Sequence, residues 1–329
     1  MATSGTVGQT VVDNATLIEH AVRRCGLPAG AQTAENSIVA RNCLFILAAH
    51  LASRGLNLWC VTREILGLEA GRTGYTLLPG TISVMNVLYT APTLLTGTDT
   101  TTATALAREL AEASKVIRVG FKLSSLPASG GISIDSSDDG VVWTPRKVVA
   151  QTALPVAGAW HYLDLDPSVT ALHFRISSAS ALTVSAFSLC SDLSEVPMTP
   201  FNRDDFANLP NKRVEGRSST NYFFEKKITP TLTLWPVPTV DTDHVSYWRH
   251  HQTEDVGSLQ QELAIPTRWL ESFIVHLAFR LSMELPGVDP SRISLLSGLA
   301  DKAIIEVEAE ETDGNPIYFV PRISAYTGG

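Results

Sequence analysis

The sequence predicts an α+β protein: a helical bundle with a small antiparallel β region, and an all-β sandwich inserted into it. Three observations support this prediction. Apolar residues recur at helical spacing near both ends of the chain. Short strand-like runs lie between those ends. Residues 91–190 are rich in Ser, Thr, Ala and Val and contain such runs at a spacing of roughly 10–15 residues, which favours a sandwich.

The first two helices are predicted from their capping residues and their apolar spacing. Asp13 or Asn14 can cap a helix that carries apolar residues over 17–22. Thr33 can cap a second helix, with Glu35 in its first turn, where the helix dipole favours an acid. Apolar residues cover much of the circumference of this second helix, so we expect it to be central in the bundle.

Strand-like runs follow the helices. Residues 58–66, 73–79 and 82–90 are predicted as short strands because Gly and Pro separate them. The segment 96–114 is ambiguous, since its second half could also form a short helix. Residues 116–121 alternate with a period of two, which predicts a half-buried strand.

The chain changes character after Cys190. An irregular, Pro-rich loop contains a short helical pattern at 203–207. Residues 220–228, 231–238 and 244–251 are three consecutive strand-like runs, as in an antiparallel meander.

Two helices and an arm are predicted at the C-terminal end. Pro266 occupies a first-turn position of a helix that ends at Pro286-Gly287, and Asp289-Pro290 open another that ends near Gly314. Residues 314–329 are apolar but contain two prolines and two glycines. We therefore expect them to form an arm that docks on another surface.

The predicted domain organisation is discontinuous. Residues 1–90 and 191–329 would form one α+β body, and residues 91–190 an inserted β module. Insertions are tolerated at exposed loop tips, so a hairpin near Thr90 and Ser191 would be the insertion point.

Composition and charge limit the function classes. The net charge of −8 over 329 residues argues against a general nucleic-acid binder. The four cysteines lie far apart, so we expect buried, reduced thiols rather than a disulfide framework. The N-terminus shows no secretion signal, and the apolar run 43–52 is too short to span a bilayer. The sequence thus predicts a soluble protein of a reducing compartment.

The sequence lacks the motifs that usually mark a catalytic or phosphate-binding site. The sequence contains no phosphate-binding glycine loop, no H-E-x-x-H and no G-x-S-x-G. His250 and His251 would point to opposite faces of a strand, so they cannot both bind one metal ion. The acidic stretch 135–140 is interpreted as a hairpin turn rather than a calcium loop. We predict no catalytic, cofactor-binding or metal-binding residues, and a protein that is not an enzyme.

A locally basic loop runs between residues 203 and 227 of this acidic chain. Its basic residues are Arg203, Lys212, Arg213, Arg217, Lys226 and Lys227. Four acids lie among them, so the loop is either a solvated surface with ion pairs or a surface that meets an acidic partner or DNA. The sequence alone favours neither.

The order of motifs over 1–90 and 191–329 resembles the head-to-tail adaptor (tubular tail protein A type) of short-tailed bacteriophages. The matching residues are Arg54-Gly55, Leu78-Pro79, Leu209-Pro210-Asn211-Lys212, Gly216-Arg217, Leu234-Trp235-Pro236-Val237-Pro238, Pro266, Arg268-Trp269 and Leu277-Ala278. Ser218-Ser219 depart from the pattern, because a Pro is common after Gly-Arg in the family, so this turn differs.

This resemblance implies a structural virion protein of the neck or tail, assembled in the host cytoplasm. It implies a ring, usually of twelve copies, beneath the portal protein, which extends the DNA channel and carries the tail nozzle and the tail fibres or spikes. Genomic DNA would pass through without sequence-specific binding, and no membrane partner is implied. The candidate interface or channel residues are Arg203, Lys212, Arg213 and Arg217, and the candidate arm anchors are Tyr318, Phe319, Val320 and Tyr326.

Residues 91–190 resemble a discoidin or galactose-binding-like β-sandwich, a jelly roll. The resemblance rests on Ser137, Asp139, Gly140 and Trp143, and on the run 174–176. It implies the alternative function of a carbohydrate-binding virion protein. A third hypothesis is a cell-wall hydrolase that uses Asp204, Asp205 or Glu215.

Overall fold

The computed structural model describes residues 12–28, 33–54, 60–153, 157–252, 257–263 and 265–310. Of these residues, 44% lie in strands and 27% in helices. The prediction of a helical bundle with only a small β region is therefore wrong. The chain forms two compact units: a β unit of residues 61–251, and a helical unit of residues 1–60 with 252–329.

Five α-helices occur within the described residues. They are α1 (Asn14–Arg24), α2 (Ala34–Arg54), α3 (Arg203–Ala207), α4 (Leu270–Glu284) and α5 (Pro290–Glu310). The predicted caps are confirmed: the Asp13 carboxylate accepts from the Thr16 N–H at 2.8 Å, and the Thr33 hydroxyl accepts from the Asn36 N–H at 3.2 Å. All but α3 belong to the helical unit.

The helical unit has an apolar core. Trp269 and Phe273 pack edge to face, with ring centroids 6.4 Å apart, among buried residues of all four helices. The second helix, α2, buries Leu44 and Leu47 in this core. It is less central than predicted, since Phe45 is 45% exposed.

The strands of the described residues all belong to the β unit. They are β1 (Val61–Gly67), β2 (Gly74–Thr76), β3 (Thr81–Leu95), β4 (Gly97–Thr101), β5 (Ala105–Ser125), β6 (Ile132–Ser137), β7 (Thr144–Val149), β8 (Trp160–Ser178), β9 (Thr183–Pro197), β10 (Thr199–Pro200), β11 (Glu215–Gly216), β12 (Asn221–Glu225), β13 (Thr231–Trp235), β14 (Val237–Pro238) and β15 (His244–His251).

Most of these strands form one antiparallel sheet. Its order is β1-β15-β3-β9-β5-β8-β6-β7, with β4 paired to β5, which makes nine strands among the described residues. A four-stranded sheet has the order β10-β12-β13-β2, and β11 pairs with β14. The predicted three-strand meander is half correct, because β12 and β13 pair while β15 joins the large sheet.

The size of the large sheet explains why the predicted fold class is wrong. The predicted runs 58–66, 82–90 and 244–251, which we assigned to a small β region, correspond to β1, β3 and β15, and these hydrogen-bond into the same sheet as the middle segment. A sandwich strand left at an edge has unpaired N–H and C=O groups, and pairing satisfies them. The proposed boundaries at residues 90 and 191 lie inside β3 and β9. The division into a body and an insert stays a prediction.

The long strands fold the large sheet over on itself. Bulges interrupt β5 between Glu109 and Ser114, and the edge strand β1 reaches β8, where Arg63 contacts Asp164 at 3.0 Å. One apolar core lies among β5, β6, β8 and β9, and a second packs β3 and β15 on the four-stranded sheet. This arrangement is the β-sandwich predicted for the middle of the chain, enlarged by the flanking strands.

The four cysteines are buried, as predicted. Burial raises the pKa of Cys25 and of Cys190 to about 11, and that of Cys43 to about 12, so these sulfurs stay protonated. None of the described helices combines the length and the hydropathy that a bilayer crossing requires.

Candidate functional site

The candidate site lies where the β6–β7 hairpin meets β8. The pairing of β6 with β8 places Asp135 opposite Arg175 and Ser137 opposite His173. Directly opposed residues, and residues two apart on one strand, share a face of a sheet. The four side chains therefore lie on one face, just before the hairpin turn.

The turn after β6 is built by two side chains. The Ser137 hydroxyl donates to Asp139 Oδ1 at 2.9 Å and accepts from the Gly140 N–H at 2.9 Å. Asp139 Oδ1 also accepts from the N–H groups of Val141 and Val142, each at 2.9 Å. These bonds, that from Val142 foremost, hold the pKa of Asp139 below its usual range. The interpretation of the stretch 135–140 as a hairpin turn is confirmed for residues 138–140, whereas residues 135–137 are the end of β6.

Trp143 follows the turn and contacts two side chains of β8. The Arg175 guanidinium carbon lies 4.3 Å from the centroid of the indole, a cation–π distance. The His173 ring meets the indole edge to face, with centroids 6.5 Å apart. Gly140 has a φ of +71°, and a Cβ there would come within 3.4 Å of the His173 ring. A glycine thus lets the turn close over the imidazole.

Arg175 is held in place by a buried carboxylate. Its Nε and Nη2 atoms contact Asp135 Oδ2 at 2.9 and 2.7 Å, and the Ser177 hydroxyl donates to the same oxygen at 2.9 Å. Ser133 donates to the other carboxylate oxygen. Asp135 is 3% exposed, so its charge is compensated by these partners rather than by water. Arg175 is consequently fixed in direction over the indole.

Arg146, three residues after Trp143, lines two clefts. Its Nε donates to the Ser136 hydroxyl at 2.8 Å. The first cleft, of about 240 Å³, is lined by Ser136, Ser137, Asp138, Asp139, Val142, Thr144 and Arg146. The second, of about 340 Å³, is lined by Pro145, Arg146, Leu165, Asp166, Pro167, Ser168, Val169 and Thr170. The clefts offer guanidinium donors and carboxylate and hydroxyl acceptors, and Val142 and Thr144, the sequence neighbours of Trp143, line the first of them.

The predicted basic residues do not gather at one site. Arg217 pairs with Asp243, a carboxylate that is 1% exposed, and this contact raises the pKa of Arg217. The Lys212 ammonium donates to the carbonyls of Ala207 and Leu209, at 2.9 and 3.3 Å, at the end of α3. Both cationic side chains therefore bind to other groups of this chain.

The other two basic candidates are exposed as well. Arg203 is the first residue of α3. Arg213 lines a cleft of about 540 Å³ together with Arg72 and Glu215. Tyr318, Phe319, Val320 and Tyr326 lie outside the described residues. The assignment of all these residues to an interface or channel stays a prediction.

The acids of the hydrolase hypothesis lie on different elements. Asp204 and Asp205 are in the first turn of α3, and Glu215 is in β11. Across the described ranges, no hydrogen bond or ion pair joins the first two to the third, and no group of three or more His, Cys, Asp or Glu could hold a metal ion.

Three residues of the cluster were missed at the level of sequence. Trp143 was found through its spacing after Ser137, but Arg146, His173 and Arg175 were not singled out. The signal that could have found them is the strand register, since His173 and Arg175 alternate with buried Phe174 and Ile176 on β8.

No protein-family model matches the chain, and no curated protein matches it. Three similar solved structures are a glycoside hydrolase, the first carbohydrate-binding module of a family 31 glycoside hydrolase from Clostridium perfringens, and the family 32 module of AlyQ in complex with 4,5-unsaturated mannuronic acid. Their sequence identities are 19%, 13% and 12%. They cover 26%, 37% and 39% of this chain, and this chain covers 18%, 96% and 99% of theirs.

The TM-scores of these three structures are 0.21, 0.23 and 0.23. Two of the three are carbohydrate-binding modules, and none is a phage adaptor. At such scores these likenesses establish neither a shared fold nor a shared function, and the chain spans less than a fifth of the whole enzyme it matches.

Proposed function

We propose that this chain is a carbohydrate-binding protein whose β unit binds glycan at the cluster of Trp143, His173, Arg175 and Arg146. The observation that carries the proposal is a cluster of an indole, an imidazole and a guanidinium group, followed three residues after the indole by Arg146, which lines two polar clefts. Binding sites typically combine an aromatic wall with a small number of fixed polar groups.

Sugar rings suit this arrangement. A pyranose has an apolar C–H surface that packs on an aromatic ring, and a rim of hydroxyls that donate and accept hydrogen bonds. Arg146 keeps guanidinium N–H groups beyond the one that contacts Ser136, while Asp138 is exposed at the first cleft. Acids and bases line the clefts together, which favours a polyhydroxylated ligand over a highly charged one.

The test is a glycan array followed by calorimetry with the full chain. Trp143→Ala should reduce the affinity for the best glycan at least tenfold, because a lost aromatic contact is worth more than about 1.4 kcal/mol. Trp248→Ala is the matched control: Trp248 is 41% exposed on β15, which pairs with β1 and β3 and not with the strands that carry the cluster. Equal binding by wild type and Trp143→Ala, or a blank array, would overturn the proposal.

A second candidate function, the head-to-tail adaptor of a phage neck, is favoured by a different observation. The helical unit exposes large apolar side chains in rows. Ile38 and Phe45, seven residues apart on α2, are 56% and 45% exposed. Leu295 and Leu299, four apart on α5, are 60% and 44% exposed. Such spacings place each pair on one helix face, and rows of exposed apolar residues indicate interaction surfaces.

The sequence resemblance supplies the partners for this second candidate. The chain would form a closed ring of copies below the portal protein of the virion, carry the nozzle and fibres, and let DNA pass. The β unit could then present its glycan site at the particle surface. The two functions are compatible, since the exposed apolar rows lie on the helical unit and the cluster around Trp143 lies on the β unit.

Mixing the purified chain with the portal protein of the same virus tests this assembly role. Rings in negative-stain images should form with wild type and fail with Phe45→Glu or Leu299→Glu. Ile228→Glu is the control, because Ile228 is fully exposed but lies in the β unit. Absence of the chain from the neck in particle images would exclude the adaptor function. A zymogram on peptidoglycan separately tests the prediction that the chain is not a hydrolase.

A further inference from the structure

The β unit has a third cleft, of about 440 Å³, which shares no lining residue with the two clefts beside Arg146. It lies where β3 ends, β4 begins, β8 begins and β9 passes. The residues that matter for its chemistry are Leu94, Asp99, Arg108, Trp160, Phe187 and Thr242. Its lining mixes apolar and aromatic surface with a single pair of opposite charges.

Trp160 is a rigid wall of this cleft. Its indole stacks on Tyr162, with centroids 5.6 Å apart and planes 17° from parallel. Tyr162 is in turn fixed, because its hydroxyl donates to the Thr242 carbonyl at 3.0 Å and its ring stacks on the buried His244 at 4.3 Å. A side chain that is already ordered loses little conformational entropy when a ligand packs against it.

The polar part of the cleft is a neutral, two-bond ion pair. Arg108 Nε and Nη2 donate to the two oxygens of Asp99 at 2.6 and 2.7 Å, and the guanidinium lies 5.5 Å from the centroid of Phe187. The Arg108 side chain is 15% exposed and that of Asp99 39%. The pairing leaves the Arg108 Nη1 donors and further lone pairs of Asp99 for a ligand. Adjacent donors and acceptors of zero net charge match two neighbouring hydroxyls.

We propose that this cleft is a second binding site, for an uncharged pyranose ring, which packs its C–H surface on Trp160 and Leu94 and places vicinal hydroxyls on Arg108 and Asp99. Leu94 is 39% exposed at the cleft, as expected for an apolar contact surface. The inference rests on the proposed carbohydrate-binding function of the β unit and goes beyond it by giving the chain two separate sugar sites.

Fluorine NMR of the full chain labelled with 5-fluorotryptophan resolves the two sites. Trp143→Phe and Trp160→Phe assign their resonances. The probes are the methyl glycosides of galactose, glucose, mannose and N-acetylglucosamine, with methyl glucuronide as the charged comparison. We expect a saturable shift of the Trp160 resonance with at least one neutral glycoside, and a dissociation constant at least tenfold weaker for the charged one.

Two variants test the cleft itself. Ser185→Tyr fills it from the exposed face of β9 and should abolish the Trp160 shift, while Thr183→Tyr, two residues away outside the cleft, should leave it unchanged. Asp99→Asn keeps the volume and removes one charge, and should weaken binding about tenfold. The fluorine spectrum of each variant shows whether it is folded.

The outcomes separate the two proposals. A shift of Trp143 alone would overturn the second site and leave the first intact. A shift of Trp160 alone would overturn the first site and support the second. A Trp160 shift that persists in Ser185→Tyr would also overturn the second site, and no shift of either resonance would overturn both.

Discussion

The helical unit and the β unit bury different kinds of residue. The largest fully buried side chains of the helical unit include Trp269, Phe273 and Leu17, all apolar in character. The β unit buries Arg118 at 1% exposure and His244 at 0%. Apolar burial stabilises without regard to pH or partner, whereas a buried ionisable group needs each of its partners. Different kinds of substitution should therefore destabilise the two units.

The buried polar network of the β unit centres on Arg118. Its Nε donates to Asp164 Oδ1 at 2.5 Å, and its Nη1 donates to His244 Nε2 at 2.5 Å. Burial, and next the Arg118 charge, lower the pKa of His244 to about 3. The imidazole is therefore neutral at pH 7 and acts as an acceptor for the guanidinium.

The largest effect is expected from Arg118→Ala, which should destabilise the β unit by about 4 kcal/mol, because it leaves the buried His244 Nε2 without its donor, removes one of the two cations that contact Asp164 and opens a cavity where a fully buried side chain lay. Hydrogen exchange followed by mass spectrometry should show lost protection in β5 and β8 with the helical unit unchanged. Arg118→Met fills the volume without the charge and should cost less. A loss below about 1 kcal/mol in Arg118→Ala would show that the network does not stabilise the unit.

Leu277→Ala is the apolar counterpart in the helical unit. Leu277 is 0% exposed in the core, and removing such a side chain costs about 3 kcal/mol through lost burial and the cavity left behind. The same exchange measurement should show lost protection in α4 and α5 only. Loss of protection in both units would show that they unfold together. It would contradict the view that each unit is stabilised separately.

Acid should weaken the β unit before the helical unit. The pKa of His244 is lowered to about 3 in the fold, so between its unfolded value of 6.5 and about 3 the unfolded chain binds a proton that the folded chain does not. Stability is present above pH 6.5 and falls with decreasing pH, by about 1.4 kcal/mol per pH unit. Burial lowers the pKa of His161 and His250 as well, which adds to the effect in the same direction.

Urea unfolding at pH 7, 6 and 5, followed by exchange in each unit, measures this slope. His244→Gln should flatten the slope of the β unit. Equal slopes in the two units would contradict the expectation.

The smallest effect is expected on the surface of the helical unit. Arg24 contacts Glu271 at 2.6 and 2.8 Å, but the two side chains are 37% and 64% exposed. Solvent screens such a pair, so Glu271→Gln should cost less than about 1 kcal/mol in chemical denaturation. The difference should vanish in high salt, and a larger, salt-independent loss would mean that the pair has a structural role.

Much of the helical unit could be predicted because its signals are local. Asp13 and Thr33 lie next to the helices they cap, and the short helix α3 of the β unit, whose pattern at 203–207 is equally local, also agrees with the structure. A prediction of the β unit would have required the pairing between segments that are distant in the sequence. Residues 105–114 include good helix formers, such as Ala, Leu and Glu, yet β5 is a strand, because its neighbours β4, β8 and β9 pair with it. Composition cannot show such partners.

The candidate site likewise has one part that the sequence predicts and another part that it does not. The turn from Ser137 to Trp143 is a local motif, and its hydrogen bonds agree with the prediction. His173 and Arg175 reach it only through the register of β6 with β8. Arg118 lies in a run whose alternation predicted a half-buried strand, but it is 1% exposed because the folded-over sheet covers that face as well.

The edge strand β7 of the large sheet bears on aggregation of the protein at high concentration. In the order of the nine-stranded sheet, β7 is terminal and has β6 as its partner, and its residues from Thr144 to Val148 are exposed. Such a strand can template the addition of a foreign strand and so begin aggregation. Pro145 lacks an N–H donor, and Arg146 and Lys147 bring two adjacent positive charges, so two copies of this edge repel each other and pair poorly. Arg146, which borders the two clefts proposed to bind glycan, should thus also hinder growth of the sheet into a fibre.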